Sequence, residues 1–200
     1  IEPNEKIIKG IVVKDFSDPY MIVSLTKNGV VKKSKLEDYE LKRTGQLVKA
    51  INLDKDDELI YTSLAFDSDE MLVASHMGQC LRIDLSSINA IGVRAKGVIA
   101  MRLRDDDYVV DGSVLQSQSE IIFISHRMQM KRFKVQDFPK HNRATMGIAV
   151  MRWVKSNPQY LNHVLCLNID DEISLFEDEL MSLEVKDIPI MKLDASFSNV

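Results

Sequence analysis

Two hundred residues, 45% of them apolar and 28% charged, give a chain of ordinary globular composition. Its net charge of -4 is unevenly spread: residues 1–160 hold 24 Lys and Arg against 21 Asp and Glu, whereas residues 161–200 hold 2 against 9. No apolar run approaches the ~18 residues of a membrane-spanning helix, and two isolated cysteines, Cys80 and Cys166, fit a reducing cytoplasm better than a disulfide framework.

The start, IEPNEKIIKG, has neither an initiator Met nor a signal pattern and reads as part of a longer chain. Lys6 to Phe16 is rich in Ile and Val and predicts a first strand, broken by Ser17 to Pro19. Met21 to Thr26 predicts a second. Lys27-Asn28-Gly29 is a hairpin turn, because Asn and Gly tolerate the positive φ that a tight turn requires. Val30 to Leu36 returns as the partner strand, and Gln46 to Leu53 follows as the fourth. Asp54 to Glu58 is too charged to be anything but a loop.

The same order then recurs. Leu59 to Phe66 opens a second unit, Met71 to Ser75 and Gln79 to Leu85 flank a turn at His76 to Gly78, and Gly97 to Leu103 precedes the acidic loop Asp105 to Asp107. The third unit runs through Tyr108 to Gln116, Ile121 to Ser125, a turn at His126 to Met128, Gln129 to Val135, and Gly147 to Trp153. A fourth is incomplete: Val164 to Ile169 and Glu172 to Phe176 suggest one more hairpin around Asp170-Asp171. Glu177 to Leu183 reads as a short helix or a turn, and Ile188 to Leu193 as a closing strand or a trailing end.

Thr26, Gly29, Lys33, Leu36 and Tyr39 align with Ser75, Gly78, Arg82, Leu85 and Ile88, and these with Ser125, Met128, Arg132, Val135 and Phe138. A period of about 50 residues with four short strands per unit is the spacing of propeller blades. One such unit is too small to bury its own apolar face, so neighbours must stack. The expected fold is therefore all-β: a propeller-like or β-pinwheel array of four-stranded blades, incomplete or open. A β-sandwich of duplicated hairpins is the alternative. A single domain is expected over residues 1–176, with blades at about 6–53, 59–103 and 108–153 and a partial blade at 162–176. Residues 177–200 would be an acidic C-terminal tail or a closing segment.

Three short segments end the units: Leu41-Lys42-Arg43-Thr44-Gly45, Gly92-Val93-Arg94-Ala95-Lys96-Gly97 and Asn142-Arg143-Ala144-Thr145-Met146-Gly147. With TKNGVVKKSKLEDY, GVIAMRL and GIAVMRW, they make residues 6–176 resemble the C-terminal domain of bacterial type IIA topoisomerase A subunits. The resemblance implies a β-pinwheel of usually five or six blades that exchange strands, and duplex DNA held around a basic outer rim. It also implies partners: the rest of the topoisomerase A subunit, together with an ATPase B subunit, in a bacterial cytoplasm at the nucleoid. No segment matches the Gln-Arg-Arg-Gly-Gly-Lys-Gly box of the gyrase branch, so the chain is more similar to the topoisomerase IV branch. Binding and bending of duplex DNA for strand passage, in decatenation and relaxation, is implied rather than full wrapping. The strand-cutting tyrosine of the family lies in another domain, so no catalysis is expected here.

A rim that holds DNA must offer spaced cations, because the duplex carries about one charge per 1.7 Å of axis. Lys33, Arg82 and Arg132 form one basic column, and Arg43, Arg94 and Arg143 a second beside glycines. Lys32, Lys35, Lys42, Lys96, Arg102, Lys131, Lys134 and Arg152 are further candidates. All are expected to touch phosphate and none to read base identity. The opposing reading is a solvated edge strand, whose lysines block aggregation of sheets; the array would then be a protein-interaction propeller without a nucleic-acid role. No cofactor or metal is expected: His163 and Cys166 alone cannot hold a zinc, the chain has no phosphate-cradling glycine loop, and Asp105-Asp106-Asp107 reads as an inter-blade loop.

Overall fold

A computed structural model describes residues 5–41, 47–115, 119–176, 180–193, 195 and 197. Among the described residues, thirteen strands and four one-turn 3-10 helices make up the regular structure. β1 (Met21–Thr26) and β2 (Val30–Lys35) form the first hairpin. β3 (Leu59–Ala65) follows, then the second hairpin, β4 (Glu70–Ser75) and β5 (Gln79–Asp84). β6 (Val98–Ile99) and β7 (Val109–Leu115) lead to the third, β8 (Glu120–Ser125) and β9 (Met130–Lys134). β10 (Ile148–Ala149) and β11 (Leu161–Leu167) precede the last, β12 (Glu172–Phe176) and β13 (Leu180–Glu184).

The turns form as their residues dictate. Gly29 and Gly78 adopt φ of 79° and 80°, and Met128 takes the same conformation at 58° without glycine's freedom. In each turn a hydroxyl at the end of the first strand accepts the amide across the turn: Thr26 from Val30, Ser75 from Gln79, Ser125 from Gln129. Asp57 and Asp107 brace the first two turns by accepting the amides of Asn28 and Met77. The acidic loops therefore hold structure as well as face solvent.

Strand exchange joins the blades. The first sheet has the order β3-β1-β2-β6 and the second β10-β5-β4-β7, while β11-β8-β9 make the third and β12-β13 the fourth. Each of the first two hairpins thus takes one neighbour from the chain that leads to the following hairpin and another from beyond that hairpin. This corrects the sequence-based grouping: Leu59–Ala65 closes the first blade rather than opening the second, and Val98–Ile99 pairs back onto β2. The final hairpin is Glu172–Phe176 with Leu180–Glu184, not Val164–Phe176, because Leu161–Leu167 pairs with β8. Two expected strands are not strands: residues 6–16, and the described part of 46–53. The described residues 188–193 form no strand; Ile190 makes a single bridge to Arg132, as Lys140 does to Arg82. No sheet pairs the first blade with the fourth among the described residues.

The core lies between blades, not within them. On β4, Met71 and Val73 pack with Val23, Leu25 and Val31, while Leu72 and Ala74 pack with Ile121 and Phe123. A third layer joins Ile122, Ile124 and Met130 to Ile173, Val185 and Ile188. A strand buried on both faces needs no polar alternation, which is why MLVA reads as a continuous apolar run.

Candidate nucleic-acid interface

Of the basic side chains that the sequence singles out, the first column points inward. Lys33 is 1% exposed; its ammonium pairs with Asp67 and donates to the carbonyl of Leu85 at 2.6 Å. Arg82 donates to the carbonyls of Val135 (2.5 Å) and Phe138 (2.7 Å) and pairs with Glu70 at 2.5 Å. Arg132 donates to Ile188 O at 2.9 Å and Lys186 O at 3.3 Å, and faces Glu120 at 3.4 Å. All these carbonyls lie on the 3-10 turn of the next blade or the residue after it. Backbone bonds repeat the same join, from Ile91 N to Lys33 O, His141 N to Arg82 O and Met191 N to Arg132 O.

The column is therefore regular, but it latches each blade to its successor. The expected exposed track through Lys33, Arg82 and Arg132 is corrected on this point, since their donors are spent on carbonyls and carboxylates. A charge this far from water must be paired and hydrogen-bonded or it destabilises the fold. Lys32 and Lys131 are also buried. Lys32 donates to Ala50 O (2.7 Å) and Val93 O (2.5 Å), and Lys131 to Leu193 O (3.1 Å) and Ala195 O (3.0 Å). Burial lowers the Lys32 ammonium to about 8 against a weaker opposing pull from Asp38. Glu70 and Glu120 each stand twelve residues before their arginine; that shared spacing is the signal that could have disclosed the latch.

The second set faces water. Arg94, Arg143, Lys35, Lys96, Arg102, Lys134 and Arg152 are exposed; Lys42 and Arg43 lie outside the described residues. Arg94 and Lys96 precede β6 and Arg102 follows it; Arg143 precedes β10 and Arg152 follows it. β6 and β10 each form one edge of their sheet, so these cations flank the same edge of successive blades. The seams between blades draw them together. Arg102 N donates to Thr145 O at 2.9 Å, Ala144 N to Ala100 O at 2.6 Å, and the Arg143 guanidinium reaches Ile99 O at 3.4 Å. One seam earlier, Asn52 N donates to Ala95 O at 3.2 Å and Lys96 pairs with Asp54 at 2.7 Å. Lys35 pairs with Glu37 at 2.9 Å. Among the described residues Arg94, Arg102, Arg143 and Arg152 form no ion pair.

A row of rings crosses the turn end of the blades. Lys27 lies over Tyr108 at 5.4 Å, and His76 stacks between Tyr108 (4.7 Å) and Tyr160 (4.3 Å). Burial lowers the His76 pKa, partly offset by Asp107. Burial also raises the thiols, Cys80 well above its usual value and Cys166 to about 12, which leaves neither as a nucleophile at neutral pH. Among the described residues no three His, Cys, Asp or Glu converge on a metal site, and no helix is long and apolar enough to cross a membrane.

A family model described as the DNA gyrase C-terminal domain, beta-propeller, matches residues 20–64, 69–116 and 119–166. The chain is 35% identical over 158 residues to the A subunit of DNA topoisomerase 4 from Bacillus subtilis (strain 168), covering 79% of this chain and 20% of that protein. It is 29% identical over 195 residues to the A subunit of DNA gyrase from Helicobacter pylori (strain J99), covering 94% and 23%. The chain thus spans about a fifth of the length of the curated relatives it matches. A crystal structure of the C-terminal domain of DNA topoisomerase IV matches with a TM-score of 0.93 at 30% identity, over 100% of this chain and 63% of that one. The DNA gyrase A C-terminal domain shares the fold, with a TM-score of 0.82 at 16% identity over 94% of this chain and 63% of that one.

Proposed function

The chain belongs to the DNA gyrase C-terminal domain family of β-propellers, and from that premise we propose that it is a non-catalytic module that binds duplex DNA along the edge flanked by Arg94, Arg102, Arg143 and Arg152. The reading rests on one observation above the rest: guanidiniums recur at the same exposed edge of successive blades, beside the seams where loops 92–97 and 142–147 cross. Arginine at intervals along a continuous edge suits a polyanion. Contacts of this kind position the duplex without reading its sequence. In the intact enzyme the module would bend a DNA segment and present it for passage by an ATP-dependent topoisomerase that combines A and B subunits, in the bacterial cytoplasm.

The test is a mobility shift with mixed-sequence duplex across a salt series. Each phosphate that loses its cation lowers the slope of log affinity against log salt by about 0.9. Replacing all four arginines by Ala is expected to lower that slope by roughly 3 to 4. A slope unchanged in a variant that remains folded would refute the reading and favour a protein-interaction propeller.

A further inference from the structure

The inter-blade loops are not alike. The first carries Asp54, Asp56, Asp57 and Glu58 and the second Asp105, Asp106 and Asp107, whereas residues 153–159, WVKSNPQ, have no carboxylate. At the position where the first two units place the partly buried Leu53 and Leu103, the third places Trp153, the only tryptophan of the chain, 44% exposed. Its indole meets Tyr160 edge-on at 5.5 Å, and Tyr160 meets His126 edge-on at 5.3 Å. Arg127 is tied to this loop by hydrogen bonds to Asn157 Oδ1 (2.6 Å) and Pro158 O (3.2 Å). Arg152 and Lys155, both exposed, flank the indole in sequence. A half-exposed ring is thus packed against Tyr160 with exposed cations on either side of it in sequence, in a loop that has lost the acids of its two counterparts.

We propose that this patch binds unstacked nucleobases, in single-stranded or locally unpaired DNA. Trp153 supplies the stacking face, Arg152 and Lys155 meet the phosphates, and Arg127 holds the loop in place. A base stacked inside a duplex has no free face to offer an indole, whereas an unpaired base does, and stacking of this kind tolerates any sequence. The cations add the salt-sensitive attraction that every DNA strand feels. The proposal shares only Arg152 with the duplex-binding edge and stands independently of it.

Because the chain has a single tryptophan, its fluorescence reports on this site alone. Titration of the whole chain with oligo-dT of about 15 nucleotides, within the ~4–16 that single-strand-binding folds span, is expected to quench the emission to saturation. Read by the anisotropy of a fluorescein-labelled oligo-dT, which does not need the indole, Trp153→Ala is expected to weaken binding about ten- to a hundred-fold, as loss of one stacked base does, while Trp153→Phe restores most of it. The variant Arg94→Ala, Arg102→Ala, Arg143→Ala should keep the quenching; its affinity for duplex reports on the duplex reading separately. Unchanged emission with oligo-dT, equal oligo-dT affinity in Trp153→Ala, or equal quenching by poly-glutamate would each overturn the proposal.

Discussion

Replacing Arg82 by Met removes the latch between the second and third blades while keeping the aliphatic bulk. The side chain is only 14% exposed and Glu70 only 19%, so solvent screens the pair weakly. The substitution deletes donors to Val135 O, Phe138 O and Glu70. Hydrogen bonds from charged groups contribute about 1.5–3 kcal/mol each, but three that act as a unit do not add. Lys140 still meets Glu70 at 2.5 Å, so the carboxylate is not left alone. The expected loss is therefore about 3 kcal/mol, the low end for breaking a buried pair. Arg82→Lys keeps the charge but not the planar fork, and is expected to lose about 1–2 kcal/mol. Urea unfolding followed by far-UV circular dichroism measures both. A loss below about 0.5 kcal/mol, the range of ordinary surface changes, would refute the latch, all the more if duplex affinity fell instead.

Other expectations follow from individual groups. Gly147 has φ of 70°, and a Cβ there would run into the Cys80 carbonyl; Gly147→Ala should cost about 2 kcal/mol or more in urea unfolding, whereas Gly92, with nothing within 4 Å, should accept Ala with less than about 0.5 kcal/mol of change. Histidine NMR should find His163 titrating above the ordinary 6.5, since it hydrogen-bonds to Asp111, and His76 below it. The raised His163 value means that its pairing stabilises the fold below about pH 6.5 and ceases to do so as pH rises through the folded value; a His163→Gln variant should lack that fall. Lys32 has the opposite sign: its folded value of about 8 lies below the ordinary 10.5 of a lysine, so the unfolded chain holds the extra proton between them, and stability of the wild type relative to Lys32→Met should rise from about pH 8 toward 10. A flat difference curve would exclude that linkage.

The hairpins were legible because their chemistry is local. Asn28-Gly29 and the repeated hydroxyls at Thr26, Ser75 and Ser125 act within a few residues. Strand exchange was legible only through the family resemblance, and which segments exchange was not. Leu59–Ala65 and Val98–Ile99 both join the first blade from far along the chain, and nothing in either segment names its sheet. Residues 6–16 are as rich in apolar β-branched side chains as many strands yet form none, because β-propensity reflects packing against neighbours rather than a backbone preference. The basic column was visible as a column, but its role was hidden. Lys32-Lys33 in a strand reads as a solvated edge, and only carbonyls some fifty to sixty residues downstream, at Leu85 and Val93, reveal why the charges are buried.

Chemical modification of arginine with phenylglyoxal, read by mass spectrometry with and without duplex DNA, separates the inward and outward cations in one experiment. Arg82 and Arg132 should stay unreactive in both states, and Arg94, Arg102, Arg143 and Arg152 should react in the free chain and be protected by DNA. Contradiction would take either of two forms: Arg82 or Arg132 reactive until DNA covers it, or all four edge arginines equally reactive in the complex.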